Sequence, residues 1–280
     1  MVPMHNDNWT LEHTYDSPQG TVRWARLGAP GLPPVVLLHG TPWSSYVWRS
    51  LARALATRHQ VYVWDMPGYG ASAKYEGQDV SLGAQGRLFA GLLEHWGLES
   101  PAVVAHDFGG AVALRAHLLH GARFSRLALT DVVTLAPWGS PTYRLIAEHA
   151  EVFARLPDNL HAALVREYIA TVGGPGLHPE VLTRLTAPWL GEEGRPAFYR
   201  QIAQNDRRWT DDIEQRLGEV APPVLVCWGT DDRWIPVDRA HRLAAALPDA
   251  RLHLIEGAGH LVQEDAPAEL LAPLAGFLDV

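Results

Sequence analysis

Apolar and polar positions follow two patterns along this chain. Short apolar runs bounded by Gly, Pro and Asp predict buried strands, and longer segments with apolar residues every three or four positions predict helices. Eight runs fit strands: residues 9–15, 22–27, 35–38, 61–64, 101–106, 127–130, 223–228 and 251–255. The first two, split by a Pro-Gly turn, predict an antiparallel hairpin. Because the later strands alternate with helices, we expect an α/β fold with a mostly parallel eight-stranded sheet, helices on both faces and ligands bound at the strands' carboxyl ends.

One segment between the sixth and seventh predicted strands interrupts this alternation. Residues 137–217 contain helical patterns near 143–156, 160–171, 179–190 and 197–206, with a Gly-Gly-Pro-Gly break at 173–176. We therefore predict a core formed by residues 1–136 and 218–280, and an inserted helical cap formed by residues 137–217.

Composition restricts the classes of protein that fit. The chain has 280 residues, 47% of them hydrophobic and 19% charged, which is typical of one globular domain with an insertion. The net charge of -8 disfavours a nucleic-acid partner, and no apolar run reaches the roughly 18 residues of a membrane helix. The start of the chain lacks a signal-peptide pattern, and Cys227 is the only cysteine. We expect a cytoplasmic monomer or homodimer with no membrane partner.

The most informative stretch is the predicted strand 101–106 with the helix that follows it. Asp107 lies at the corner between them, flanked by the small residues Ala105 and Gly109. A sharp strand-to-helix turn presents its central side chain at the edge of the sheet, beside a helix N-terminus. A carboxylate there is already ionised near neutral pH and attacks carbon directly, giving an ester that water then hydrolyses. The alternative interpretation is a structural N-cap, because Asp is common before helices.

Three further loops follow predicted strands in a meaningful order. His39-Gly40-Thr41-Pro42 follows the third strand, Asp232 lies three residues after Gly229, and His260 ends Gly257-Ala258-Gly259-His260. The chain order of nucleophile, acid and histidine is that of a catalytic triad at strand ends.

Together these motifs resemble the α/β-hydrolase superfamily, in the branch of epoxide hydrolases and haloalkane dehalogenases that use an Asp nucleophile. The resemblance implies the α/β-hydrolase fold with a cap. It also implies a reaction that needs neither a metal nor an organic cofactor. It implies that Asp107 is the nucleophile, that His260 is the base for water and that Asp232 orients the histidine. The backbone N–H groups of Thr41 and Phe108 form the oxyanion hole. Asp131, at the end of the sixth strand, is the rival acid.

Fewer residues of the sequence bear on which leaving group the substrate carries. Dehalogenases that resemble this chain present an Asn and a Trp to the halide, and Thr41 and Phe108 occupy those positions here. Epoxide hydrolases use cap tyrosines as acids, and Tyr199 resembles the second of these, whereas the first aligns with His149.

A small apolar substrate is expected in a pocket bordered by four aromatic residues: His39, Trp43, Trp138 and Tyr143. An epoxide hydrolase is the favoured prediction, because an alkoxide needs a proton donor and a halide does not. The alternatives are a haloalkane or haloacid dehalogenase, and a non-hydrolytic lyase, isomerase or binding protein on the same fold.

Overall fold

A computed structural model describes residues 9–279, and its centre is one eight-stranded sheet. The strands, in chain order β1 to β8, are His13–Ser17, Gly20–Leu27, Pro34–Leu38, Gln60–Trp64, Ala102–His106, Arg126–Thr130, Val224–Gly229 and Ala250–Ile255. Their order across the sheet is β1-β2-β4-β3-β5-β6-β7-β8, and only the β1–β2 and β2–β4 pairs are antiparallel. The predicted opening hairpin and mostly parallel sheet are therefore confirmed.

Twelve α-helices lie within the described residues. In chain order, α1 to α12 are Arg49–Leu55, Leu82–His95, Phe108–His120, Pro141–Glu148, Ala150–Phe153, Asp158–Ala170, Pro179–Thr186, Gly191–Ala203, Arg208–Glu214, Asp238–Ala246, Val262–Asp265 and Pro267–Leu278. Helix α2 packs against α3, and α1 packs against α12. No helix in residues 9–279 combines the length and the apolar character needed to cross a bilayer.

The core is centred on the middle strands. Every residue of β5 and β7 is buried, and so are residues 35–38 of β3 and 127–130 of β6. Strands buried on both faces lack polar alternation, which explains the continuous apolar runs of the sequence. Each fully buried Val or Leu contributes about 1.5–3 kcal/mol of transfer free energy, so these four strands form a rigid platform for the loops at their ends.

The segment between β6 and β7 is helical, and we call residues 137–217 the cap. It carries α4 to α9. Several element boundaries differ from the sequence-based prediction. The expected helix 143–156 is two helices, because His149 departs from helical geometry with φ -124° and ψ 31°. Helix α8 begins at Gly191 rather than near residue 197.

The middle of the cap is joined to the core by backbone contacts. Gly173 forms an isolated antiparallel bridge with Asp232, and the N–H of His260 donates to the carbonyl of Val172 at 2.9 Å. A Cβ added to Gly259 would lie 2.5 Å from backbone atoms of Gly173 and Gly174. Only glycine therefore permits this approach between the cap and the loop that carries His260.

Candidate active site

The strand-to-helix turn at residue 107 has the strained geometry that the sequence predicts. Asp107 has φ 51° and ψ -122°, outside the usual regions for a residue with a side chain. A Cβ added to Gly109 would lie 2.6 Å from the carbonyl oxygen of His39, and one added to Gly40 would lie 2.3 Å from the Asp107 side chain. The Asp107 side chain does not cap helix α3. The N-cap interpretation of Asp107 is therefore wrong.

Instead, the Asp107 carboxylate faces two groups from other loops. The backbone N–H of Thr41 donates to its Oδ1 at 2.6 Å, and Nε2 of His260 lies 3.3 Å from its Oδ2. Phe108 is the first residue of α3, where a backbone N–H has no partner within the helix. The expected oxyanion-hole residues and the expected base thus lie around one carboxylate.

His260 is held from its far side by Asp232. Its Nδ1 lies 2.8 Å from Asp232 Oδ2, and Asp232 Oδ1 accepts the backbone N–H groups of Trp234 and Ile235 at 2.7 and 2.8 Å. The carboxylate is therefore fixed before it orients the imidazole. Asp131 accepts the backbone N–H of Gly229 at 2.9 Å instead. Burial, strengthened by the neighbouring charge of Asp232, raises the pKa of Asp131 well above its ordinary value and favours its neutral form.

The environment of His260 controls its basicity. Burial alone disfavours the imidazolium, but the Asp232 and Asp107 carboxylates outweigh it and raise the pKa of His260 well above the ordinary value. His106 supports the same loop, because its Nε2 donates to the His260 carbonyl at 2.8 Å. Burial, assisted by the neighbouring His260, lowers the pKa of His106 to about 3, so His106 stays neutral.

Asp107 opens onto a small cavity between the core and the cap. The cavity measures about 30 Å³, enough for one or two water molecules. Thr41, Asp107 and Phe108 line it from the core. Trp138 and Tyr143, both predicted to border the pocket, line it from the cap.

The other two predicted pocket residues, His39 and Trp43, are not in the cavity wall. His39 Nε2 accepts the N–H of Met66 at 3.0 Å and Nδ1 lies 2.8 Å from the carbonyl of Gly40, so the imidazole shapes the oxyanion loop. Trp43 stacks on Trp234 with ring centroids 5.5 Å apart, behind the surface that a substrate would meet. The structure corrects both positions, because backbone hydrogen bonds and stacking occupy these rings.

Neither predicted cap acid reaches the cavity. The Tyr199 hydroxyl is buried 2.8 Å from Nδ1 of His161, whose Nε2 lies 2.8 Å from the carbonyl of Trp189. Because Nε2 must donate to that carbonyl, Nδ1 accepts the phenol proton. The His149 side chain is 50% exposed, and its nearest ionic neighbour is Glu148. Tyr199 therefore supports the interior of the cap, and His149 lies on its surface.

A different tyrosine lies in the cavity wall. Tyr168, on α6, is buried and packs against Trp234 with the rings tilted by 31° and their centroids 4.8 Å apart. Burial and the charge of Asp107 raise its pKa, against a smaller opposite effect of the Ser140 hydroxyl. The Tyr143 hydroxyl is 3.2 and 3.3 Å from two backbone carbonyls, which accept its proton. The sequence does carry a signal for Tyr168: the buried positions 161, 165, 168 and 169 form one face of α6.

No trio of His, Cys, Asp or Glu in the described part of the chain is arranged to hold a metal ion. The chemistry available at this site is that of a carboxylate, an imidazole, backbone N–H donors and a phenol.

A strained Asp at a strand-to-helix corner, faced by a histidine and an oxyanion loop on this sheet, defines a protein of the α/β-hydrolase class. The model of the alpha/beta hydrolase family matches residues 35–273, and the chain belongs to that family. The expected superfamily and fold are thus confirmed.

Known proteins resemble the chain along most of its length. An alpha/beta hydrolase fold protein from Burkholderia ambifaria is 44% identical, with a TM-score of 0.92 over 96% of this chain and 98% of that one. Epoxide hydrolase A of Mycobacterium tuberculosis is 28% identical over 95% of this chain and 97% of its own. The 2-hydroxy-6-oxononadienedioate/2-hydroxy-6-oxononatrienedioate hydrolase of Cupriavidus pinatubonensis is 27% identical over 83% and 82%.

Proposed function

We propose that this α/β hydrolase opens epoxides through a covalent ester on Asp107. The observation that carries the proposal is that the group at the strand-to-helix turn is a carboxylate rather than a hydroxyl. This carboxylate accepts the Thr41 N–H, faces His260, and lines the same cavity as Tyr168. A carboxylate nucleophile suits a saturated carbon that carries a leaving group.

In the first step, an Asp107 oxygen attacks a ring carbon of the epoxide. A carbon–oxygen bond forms, the ring bond breaks, and its electron pair stays on the former ring oxygen. Because burial raises the pKa of Tyr168, its hydroxyl keeps its proton until this strongly basic alkoxide develops and takes it. The product of the step is a hydroxyalkyl ester of Asp107.

In the second step, water attacks the ester carbonyl while His260 takes the water proton. Ester formation has removed the Asp107 charge, one of the two charges that raise the pKa of His260, so the neutral imidazole becomes easier to form. The N–H groups of Thr41 and Phe108 bind the oxyanion. Its collapse breaks the ester bond, and the leaving alkoxide takes the proton held by His260, which releases the diol. The proton left on the Asp107 carboxyl returns to the Tyr168 phenolate, so both groups are restored and Asp107 holds one oxygen from water.

The likeness to Epoxide hydrolase A of Mycobacterium tuberculosis, spread over 95% of the chain, supports this substrate class. A halide leaving group has less support among the contacts of the cavity wall, because the indole N–H of Trp138 already donates to Thr210 Oγ1 at 2.8 Å. The proposed substrate remains small and apolar, as the aromatic wall of the cavity favours.

The proposal is tested by trapping the ester. His260→Gln keeps attack by Asp107 but removes the base for water, so intact mass spectrometry should show the added mass of the epoxide on the peptide containing Asp107. Asp107→Asn, matched in shape, should show neither adduct nor turnover. The panel includes styrene oxide, a small aliphatic epoxide and 1,2-dibromoethane. Rapid bromide release with inert epoxides would replace the proposal by a dehalogenase, and unlabelled Asp107 after turnover in H₂¹⁸O would contradict the ester route.

A further inference from the structure

The indole of Trp234 lies against the imidazole of His260. The two rings are within 29° of parallel, and their centroids are 5.1 Å apart. Trp234 also lines the cavity onto which Asp107 opens, so this contact belongs to the site of the reaction. A cation within about 6 Å of an aromatic centroid is attracted by the negative face of the ring, and tryptophan attracts it most strongly. The arrangement therefore favours the protonated form of the imidazole.

Four contacts hold this indole in place. The backbone N–H of the same residue donates to Asp232 Oδ1 at 2.7 Å, and the ring N–H donates to the hydroxyl oxygen of Thr171 at 3.0 Å. The rings of Trp43 and Tyr168 pack against the indole, with centroids 5.5 and 4.8 Å away. Asp232 also contacts Nδ1 of His260, so one carboxylate fixes the positions of both rings. The indole is thus in place before charge develops on the imidazole.

The charge on His260 increases while the ester is hydrolysed. The imidazole takes a proton from water, and burial alone disfavours the cation that results. Ester formation has by then removed the charge of Asp107, which leaves Asp232 as the charged partner of the ring. Because His260 is fully buried, bulk water does not solvate the new charge. The aromatic face beside it can replace part of that solvation.

We propose that Trp234 is a positioning residue for ester hydrolysis, whose indole face stabilises the imidazolium that His260 forms as it takes the proton of the attacking water. The inference rests on the proposed function. It concerns the second step alone, because His260 exchanges no proton while Asp107 attacks the epoxide. Trp234 acts through the base, and it transfers no proton to the substrate.

Other titratable groups surround His260, and the test leaves them in place. Burial keeps His106 neutral and favours the neutral form of Asp131. Asp265, on α11, accepts the N–H of Gly259 at 2.8 Å. The groups that act on the imidazole from the elements around it are Asp107, His106, Asp131, Asp232 and Asp265.

A shielding role for the indole predicts a shift of the opposite sign. If Trp234 merely excludes water, its removal lets water reach His260 and relieves the burial that lowers the pKa, so the pKa of His260 rises. If the indole face stabilises the cation, its removal lowers that pKa. The direction of the shift therefore separates the two roles.

The titration is measured without substrate in Asp107→Asn, which lacks the Asp107 charge as the ester does. NMR spectra of protein labelled with ¹⁵N-histidine follow the imidazoles, and the signal of His260 is the one lost in His260→Gln. Adding Trp234→Leu should lower the pKa of His260, with a change of about tenfold in its protonation equilibrium.

Trp43→Leu is the matched control. Trp43 stacks on Trp234, but its ring centroid is 6.5 Å from that of His260 and it does not line the cavity. Its replacement should lower the melting temperature and leave the pKa of His260 in place.

A polyfluorinated tryptophan at position 234 provides a variant of nearly the same shape. Fluorine withdraws electron density from the face of the indole but keeps its packing, so the pKa of His260 should fall by less than in Trp234→Leu. In enzyme that retains Asp107, both replacements should move the rising limb of ester hydrolysis to lower pH, because neutral imidazole is then present at lower pH.

A rise in the pKa of His260 in Trp234→Leu would overturn the inference, as would an unchanged pKa in the fluorinated protein. Neither result bears on whether the ester forms, so the proposed function stands in both cases. Absence of any adduct in His260→Gln is a separate result, which rejects the proposed function and the role of Trp234 in hydrolysis together.

Discussion

Two buried acids near His260 have different partners. Asp232 contacts the imidazole Nδ1, whereas burial raises the pKa of Asp131 and favours its neutral form. On the Nδ1 side of the imidazole, the charge that raises the pKa of His260 is therefore that of Asp232. Asp131 accepts the backbone N–H of Gly229 and so holds the loop after β7.

This difference predicts the pH dependence of ester hydrolysis. The step needs neutral His260, so its rate should rise as pH rises through the pKa of His260 in the ester. Asp232→Asn removes a charge that raises that pKa, so the rising limb should move to lower pH while the maximum falls by up to about 10⁴-fold. Single-turnover rates across pH measure both effects.

Asp131→Asn is the control for this experiment. It replaces a carboxyl whose neutral form is favoured by burial with a neutral amide, and should leave the pH profile in place. A shift as large as that of Asp232→Asn would mean that Asp131 is the charged partner of the histidine.

At the scale of single residues, the sequence predicts those whose position depends on local geometry. Asp107 follows the buried strand β5 and His260 follows the last strand, β8, each with small neighbours, and strand ends converge in a parallel sheet. Asp232 is recognisable for the same reason. The helical period of α6 indicates that Tyr168 lies on a buried face, but its place in the cavity wall depends on how the cap helices pack over the core, which no short-range pattern encodes.

At the scale of elements, the cap shows why counting along a sequence misplaces side chains. His149 aligns with the first cap tyrosine of epoxide hydrolases, but α4 ends at Glu148 and the chain turns before α5. One break in a helix redirects every following residue, because side-chain direction repeats every 3.6 residues. Tyr199 keeps its helix yet packs on His161 inside the cap.

The helices α6 and α8 therefore predict opposite effects for two tyrosines. Tyr168→Phe should slow ester formation by about 10²-fold, the effect of losing a general acid. Tyr199→Phe should leave that rate nearly unchanged and lower the free energy of unfolding by about 1–3 kcal/mol, because Nδ1 of His161 loses its donor. Quenched-flow kinetics and urea denaturation measure the two properties. A slow first step in Tyr199→Phe with unchanged stability would restore Tyr199 as the acid.

At the scale of the whole molecule, two cavities meet at the same pair of cap residues. The inner cavity of about 30 Å³ shares Trp138 and Tyr143 with an outer cavity of about 400 Å³. Tyr143 is held by two backbone carbonyls, whereas the indole of Trp138 has one hydrogen bond, to Thr210. The Trp138 ring is thus the less constrained of the two groups between the cavities.

We expect Trp138→Ala to join the two cavities and to favour larger substrates. Its kcat/KM for styrene oxide should rise relative to that for a small aliphatic epoxide. Thr210→Val keeps the ring but removes its hydrogen bond, along with the bond that the Thr210 hydroxyl donates to the carbonyl of Arg207, and should change the ratio in the same direction by less. An unchanged ratio in Trp138→Ala would show that substrate reaches Asp107 elsewhere.

The contact between Gly173, Gly174 and Gly259 has a consequence for how this protein can be altered. The backbone that attaches the middle of the cap also bonds the N–H of His260 and bridges Asp232. The cap is therefore not an exchangeable module. A chimera with a foreign segment in place of residues 137–217 would inherit a displaced triad unless it kept glycine at both contact points. Substitutions that change the substrate range are accordingly confined to the parts of the cap before Gly173 and after Gly174.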